Sequence, residues 1–261
     1  MKGIAIICAV LLVILAAGAA EAKVTGTYFE YEQGGVILEG FVVREDVAAG
    51  ARPGVLIVHQ WMGLTDYEKK RAEMLALMGY VVFCADIYGK DARPKTMEEA
   101  AAQAGKFRDD PQLFRTRLVA ALDALKAQRD VDAGRIAAIG YCFGGGGVLE
   151  LARTGADIAG VVSFHGSLAT KLPASQGAIK AKVLVLHGAD DPHVNAEQVS
   201  AFEDEMRKAG ADWQLVKYGG AVHSFTDWNA GNDASRGAAY NEKADKRSWQ
   251  AMKDFFAEIF K

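Results

Sequence analysis

Cysteine is scarce, with three residues in 261, at positions 8, 84 and 142. So few cannot supply the disulfide framework of a small secreted scaffold. Basic excess is missing too. Thirty Lys and Arg stand against 33 Asp and Glu, a net charge of −3. That leaves no positive stripe to bind nucleic acid. Neither a Rossmann fingerprint nor a P-loop ending in Gly-Lys-Ser/Thr occurs, so the usual nucleotide-binding turns are excluded. The five histidines stand at no spacing expected of zinc ligands. There is no internal repeat and no low-complexity tract.

What is present is ordinary for a folded protein: 51% hydrophobic and 24% charged residues, at a length that suits one α/β domain. Residues 1–22 stand apart. Lys2 is a minimal basic start, an apolar run follows from Ile4 to Leu15, and small residues end at Ala20-Glu21-Ala22. This pattern reads as a secretory signal peptide cut before Lys23, giving a periplasmic or secreted protein. The competing reading is a retained membrane anchor, because the run from Gly3 to Ala20 approaches spanning length. Cleavage would remove Cys8. Cys84 lies in the apolar run Val81-Val82-Phe83-Cys84-Ala85 and reads as a buried free thiol in an interior strand. A bridge from it to Cys142 is therefore not expected.

The most informative stretch is Gly140-Tyr141-Cys142-Phe143-Gly144-Gly145. An apolar run, 135–139, leads into it, and a glycine-rich segment that turns helical, 146–153, leads out. Strand, sharp turn and helix form the setting of a nucleophile elbow, here with cysteine at the nucleophile position. Gly144 to Gly147 would each cost roughly 0.8–1 kcal/mol against alanine inside a helix. Such a run points to backbone that must approach a strand or a ligand closely. The bland alternatives are a buried cysteine in a glycine-rich βα turn, or a phosphate-cradling loop.

The rest of the chain supplies the setting. Residues 25–31 and 36–43 read as strands joined at Gln33-Gly34-Gly35, a hairpin signal. Residues 54–58 form a continuous apolar run, as expected of a strand buried on both faces. The capping box Thr65-Asp66-Tyr67-Glu68 opens a helix that Gly79 stops. Residues 80–85 are the next strand. Thr96-Met97-Glu98-Glu99 reads as a second capping box. Asp110-Pro111 opens a helix with Phe114, Leu118, Leu122 and Leu125 on one face. Further strands are expected at 158–164, 182–186 and 213–217, with helices from Asn195 to Ala209 and over 240–260. Alternating strands and helices after an antiparallel start predict a mainly parallel sheet flanked by helices. Ligands bind such sheets at the carboxyl ends of the strands.

Candidate reactive residues fall at those ends. A thiol nucleophile needs a base, and the base needs an orienting acid. Asp190 or Asp191 follows one strand and His223 the last, giving the order nucleophile, acid, histidine of an α/β-hydrolase. Either aspartate also suits a turn, and His223 also suits a satisfied loop position. His59, His165, His187 and His193 read as structural.

From about Val24 to Phe260 the chain resembles the dienelactone hydrolases, α/β-hydrolases with a cysteine nucleophile. The resemblance rests on His59-Gln60-Trp61-Met62-Gly63-Leu64, Ala85-Asp86-Ile87-Tyr88, the Cys142 elbow, Asp191-Pro192-His193-Val194 and His223-Ser224-Phe225. It implies an α/β-hydrolase fold over 23–261 and a Cys142, His223, Asp191 set, favouring Asp191 over Asp190. It further implies an oxyanion site from the backbone of Phe143 and Trp61. Gln60, Tyr88, Lys90 and Phe225 are implied as substrate-binding residues. Three departures stand out. Gln60 occupies a position where the family often has glutamate. Lys90 and Asp227 match positions where its best-known members hold a substrate carboxylate with arginines. Lysine attracts an anion without a bidentate fork, and aspartate repels it.

The expected activity is hydrolysis of small lactones or carboxylic esters through a thioester, with no cofactor and no metal. The only expected partner is a small-molecule ester or lactone. Nucleic acid, stable membrane association after signal removal, and a second subunit are not expected. The alternatives are a non-catalytic periplasmic binding protein on the same fold, or a thioesterase or peptidase.

Overall fold

A computed structural model of the chain describes residues 23–46 and 50–261. The segment read as a signal peptide, with Cys8, lies outside the described residues.

Eight strands of the described residues form one sheet: β1 (Val24–Gln33), β2 (Val36–Glu45), β3 (Arg52–Val58), β4 (Val81–Cys84), β5 (Val131–Tyr141), β6 (Gly160–Phe164), β7 (Lys182–Gly188) and β8 (Trp213–Tyr218). Their order across the sheet is β1-β2-β4-β3-β5-β6-β7-β8. β1 pairs with β2, and β2 with β4, antiparallel; all other neighbours are parallel. This is the mainly parallel sheet with antiparallel N-terminal strands that the element pattern predicts.

Among the described residues six α-helices cover the sheet: α1 (Asp66–Ala76), α2 (Met97–Asp109), α3 (Pro111–Lys126), α4 (Phe143–Arg153), α5 (Ala196–Ala209) and α6 (Glu242–Ile259). The central strands alternate between two cores. Leu56, Val58, Ile136 and Ala138 join the side chains of α2 to α5. Val55, Ile57, Ala137 and Ile139 join those of α1 and α6 on the other face. Burial on both faces is why these strands read as unbroken apolar runs.

Helix starts follow local chemistry. Thr65 and Glu68 make a reciprocal capping box on α1, and Asn195 and Gln198 do the same on α5. The expected second box at Thr96 is only half formed. Thr96 accepts from Glu99 N–H, but the Glu99 carboxylate accepts from Lys95 N–H at 2.6 Å. One residue of slack lets Glu99 satisfy a donor outside the helix instead.

Candidate active site

The turn after β5 is tight. Cys142 is the N-cap of α4 and sits at φ 54°, ψ −112°, a conformation that side chains normally avoid. The flanking glycines make the turn possible. A Cβ on Gly140 would overlap the Gly144 carbonyl, and one on Gly144 would overlap the Val58 carbonyl. The Cys142 N–H donates to Phe164 O at 3.0 Å and to His165 Nδ1 at 3.1 Å. Its thiol is left facing a cavity of about 370 Å³ that also exposes Trp61, Arg108, His193 and His223.

Asp191 follows β7 and His223 follows β8. His223 Nδ1 lies 2.8 Å from Asp191 Oδ2, and Asp191 Oδ1 accepts from His193 N–H at 2.8 Å. Asp190 is turned away, accepting from Gly220 N–H at 3.0 Å. The structure thus brings Cys142, His223 and Asp191 to one place, and it separates the two aspartates that local sequence leaves equivalent.

Electrostatics tie these groups together. Burial raises the Cys142 thiol pKa, but the neighbouring His223 charge and hydrogen bond, helped by Arg108 and Phe143 N–H, bring it below the ordinary value. Burial alone would lower the His223 pKa. A Cys142 thiolate and the Asp191 carboxylate outweigh it and push His223 up to about 10. Burial likewise opposes the charge on Asp191, and His223 holds its pKa below the usual carboxylate value. Each of these shifts acts toward charge separation between Cys142 and His223, with Asp191 behind the ring and the N-terminus of α4, which favours negative charge, beside the thiol.

The loop after β3 carries Gln60 and Trp61. Its frame is the Glu68 carboxylate, fully buried, which accepts from Gln60 N–H at 3.0 Å and from Thr65 N–H at 2.8 Å. The same glutamate thus caps α1 and fixes the loop. Tyr88 Oη donates to Trp61 O at 2.9 Å. His59 donates from Nδ1 to Gln60 O at 2.6 Å and accepts from Ile87 N–H at Nε2, which fixes its tautomer. Burial lowers its pKa. His59 and Tyr88 therefore support the Trp61 loop from behind.

Other candidate residues are placed elsewhere. Phe225 is fully buried, with its ring 5.1 Å from that of His165 and 5.5 Å from that of Tyr218. Lys90 is ion-paired with Glu30 and Glu39 and does not line the Cys142 cavity. The cation that does line it is Arg108, near the end of α2. Gln60 lines an adjoining cavity of mixed character and donates from Nε2 to Asp227 Oδ2 at 2.8 Å.

Sequence reasoning missed Arg108, His165 and His193 as parts of this site. His165 adopts φ 39° and accepts the Cys142 N–H at Nδ1. Its Nε2 must then carry the proton and donate to Thr226 Oγ1 at 2.7 Å. Burial, with the nearby His223 and Arg71 charges, keeps it neutral by lowering its pKa. The ring of His193 stands edge-on to His223, 5.1 Å away. Among the described residues, no three His, Cys, Asp or Glu side chains converge as a metal site.

Comparison with known proteins gives one family. The model of the dienelactone hydrolase family matches residues 38–260. A solved structure of a dienelactone hydrolase-like promiscuous phosphotriesterase from metagenomic libraries is 41% identical. It covers 92% of this chain and 100% of its own, with a TM-score of 0.86. An uncharacterized Caenorhabditis elegans protein is 39% identical over 152 residues, 56% of this chain and 94% of its own. A Salmonella typhimurium protein named "Putative carboxymethylenebutenolidase" is 25% identical over 85% of this chain and 83% of its own.

Proposed function

This chain belongs to the dienelactone hydrolase family and is an ester or lactone hydrolase, and on that premise we propose that it works by acyl transfer through Cys142. The observation that carries this reading is that Cys142 and His223 line one cavity, with His223 Nδ1 2.8 Å from the buried Asp191 carboxylate behind it.

In the proposed cycle the Cys142 thiolate attacks the ester carbonyl carbon. Backbone N–H groups of Phe143 and Trp61 hold the oxygen as it becomes negative. The C–O bond to the alcohol breaks, and the alkoxide leaves with the proton from the His223 imidazolium. A thioester on Cys142 and a neutral His223 remain. His223 then takes a proton from water, the hydroxide adds to the thioester carbon, and the carboxylic acid departs as the thiolate and imidazolium re-form. Asp191 orients the ring and stabilises its charged form throughout. Opening a lactone follows the same steps, with acid and alcohol in one product. Neither a metal nor a cofactor has a step in this cycle.

The protein is further proposed to act after export, as a monomer with a small-molecule substrate as its only partner, on the strength of the N-terminal pattern and the charge balance. Phosphotriester hydrolysis is a second reading, supported by the printed name of the relative at 41% identity. A panel of small aryl esters, lactones and aryl phosphotriesters tests both readings. Ester and lactone turnover that Cys142→Ala abolishes is the expected result. Ester turnover that survives in Cys142→Ala would remove the mechanism, and binding without turnover of any compound would favour a non-catalytic protein.

A further inference from the structure

A second cavity, of about 240 Å³, lies beside the one that holds Cys142, and Arg108 and Ser167 line both. Its walls are aromatic. Phe107, Phe114 and Phe143 line it from beneath, each no more than 4% exposed. Phe114 and Phe143 stack at 4.6 Å and 19°, and Phe107 meets Phe114 at 5.8 Å. Two charged side chains at its edge, Glu150 and Lys171, are already engaged, while the Arg108 guanidinium lies over the Phe143 ring at 5.9 Å. Arg115 and Arg153 hold Glu150 at 2.8 and 2.9 Å, and Asp109 holds Lys171 at 2.8 Å. Away from Arg108, which lies at the boundary with the first cavity, the space therefore favours apolar surface.

Its position relative to the chemistry gives the direction. Phe143 belongs to both features, since its N–H lies beside the Cys142 thiol while its ring lines the second cavity. The departing alcohol must lie near His223, which gives it a proton, and His223 lines the first cavity and not the second. The group on the other side of the carbonyl, the acyl chain, is left to point across the Phe143 ring.

We propose that this second cavity is the acyl-chain subsite, so that the substrates are esters of aromatic or medium-chain aliphatic acids. The proposal rests on the acyl-transfer reading above and names the substrate class of that site. A cavity of this size takes a phenyl ring or a short alkyl chain. Each methylene moved from water into such a wall is worth about fourfold in kcat/KM.

The test uses p-nitrophenyl acetate, butyrate, hexanoate and benzoate, which share one leaving group. In the unmodified protein kcat/KM should rise at least tenfold from acetate to hexanoate. Ala169 and Thr170 sit at the rim of the cavity, the first exposed and the second half-buried. Ala169→Trp or Thr170→Trp should cut the hexanoate-to-acetate ratio at least tenfold. The ratio of naphthyl acetate to phenyl acetate, which varies only the alcohol, should stay within twofold of the unmodified protein. A flat acyl series from an enzyme that turns over acetate and acylates Cys142 would overturn the subsite and leave the hydrolase reading standing. So would a ratio that neither tryptophan changes, or a change confined to the alcohol series. Failure of every ester to acylate Cys142 would overturn both.

Discussion

The Gln60 side-chain amide donates to the Asp227 carboxylate at 2.8 Å, across 167 residues of sequence. Two departures from the family pattern are thus one interaction. The amide satisfies the carboxylate without cancelling its charge, and both groups line the cavity that meets the Cys142 cavity at Trp61 and Ser224. At that edge the Asp227 carboxylate opposes an anionic substrate, while Arg236 on the same cavity attracts one.

Asp227→Asn should therefore lower KM for an anionic ester a few-fold, the size of a screened charge contact of ~0.5–1 kcal/mol. KM for a neutral ester of the same shape should not move. Steady-state kinetics on such a matched pair checks this. Equal changes for both esters would show that the charge plays no part.

The Cys142–His223 pair sets the pH dependence. The thiol pKa is lowered from its ordinary value of 9.0, and His223 is raised to about 10. Below the lowered thiol pKa the nucleophile is protonated. Above about 10 the imidazolium is lost, and with it the acid for the leaving alcohol. The kcat/KM profile should rise on the acid side of pH 9.0, hold a plateau, and fall near pH 10. Its apparent pKa values belong to the pair. Cys142 alkylation by iodoacetamide should follow the same acid limb, and an acid limb at or above pH 9.0 would contradict the ion pair.

His223→Ala removes the partner that stabilises the thiolate and the base that activates water. Acylation and deacylation should both slow, each by roughly 10²–10⁴-fold. The acylation limb should also move to higher pH. Single-turnover acylation against pH decides this. Acylation at the unmodified rate, with only deacylation impaired, would mean that another group activates the thiol.

The architecture was legible because each of its signals is local. Continuous apolar runs marked strands covered on both faces, and Thr65 with Glu68 marked the start of α1. The glycines around Cys142 marked a turn whose backbone tolerates no Cβ. The site was legible only where such turns carry it, at Cys142, at the Asp190-Asp191 pair and at His223. Asp191 and Asp190 differ in direction, not in local pattern, so the sheet had to be built before one met His223. Lys90 was expected from resemblance, yet Glu30 and Glu39 hold it, while Arg108 arrives from a helix with no motif around it. His165 gave no signal because its partner is a backbone N–H on the neighbouring strand's turn.

Glu68 couples the fold to the site. Its buried carboxylate accepts from Gln60 N–H, Thr65 N–H and Thr65 Oγ1. Glu68→Gln turns one acceptor into a donor facing a donor. It should lower unfolding stability by about 1–3 kcal/mol, the cost of an unsatisfied buried group. Urea denaturation measures this. An unchanged midpoint would show that the loop holds itself without the carboxylate.

The central claim is a thioester on Cys142. The most direct measurement mixes the protein with a stoichiometric amount of p-nitrophenyl acetate, quenches in acid on the millisecond-to-second scale, and reads intact mass alongside released nitrophenol. The account predicts one acetyl group per chain, on Cys142, appearing with the nitrophenol burst, decaying as acetate forms, and absent in Cys142→Ala. Nitrophenol release at full rate from Cys142→Ala, or turnover with the acetyl group on another residue, would contradict it.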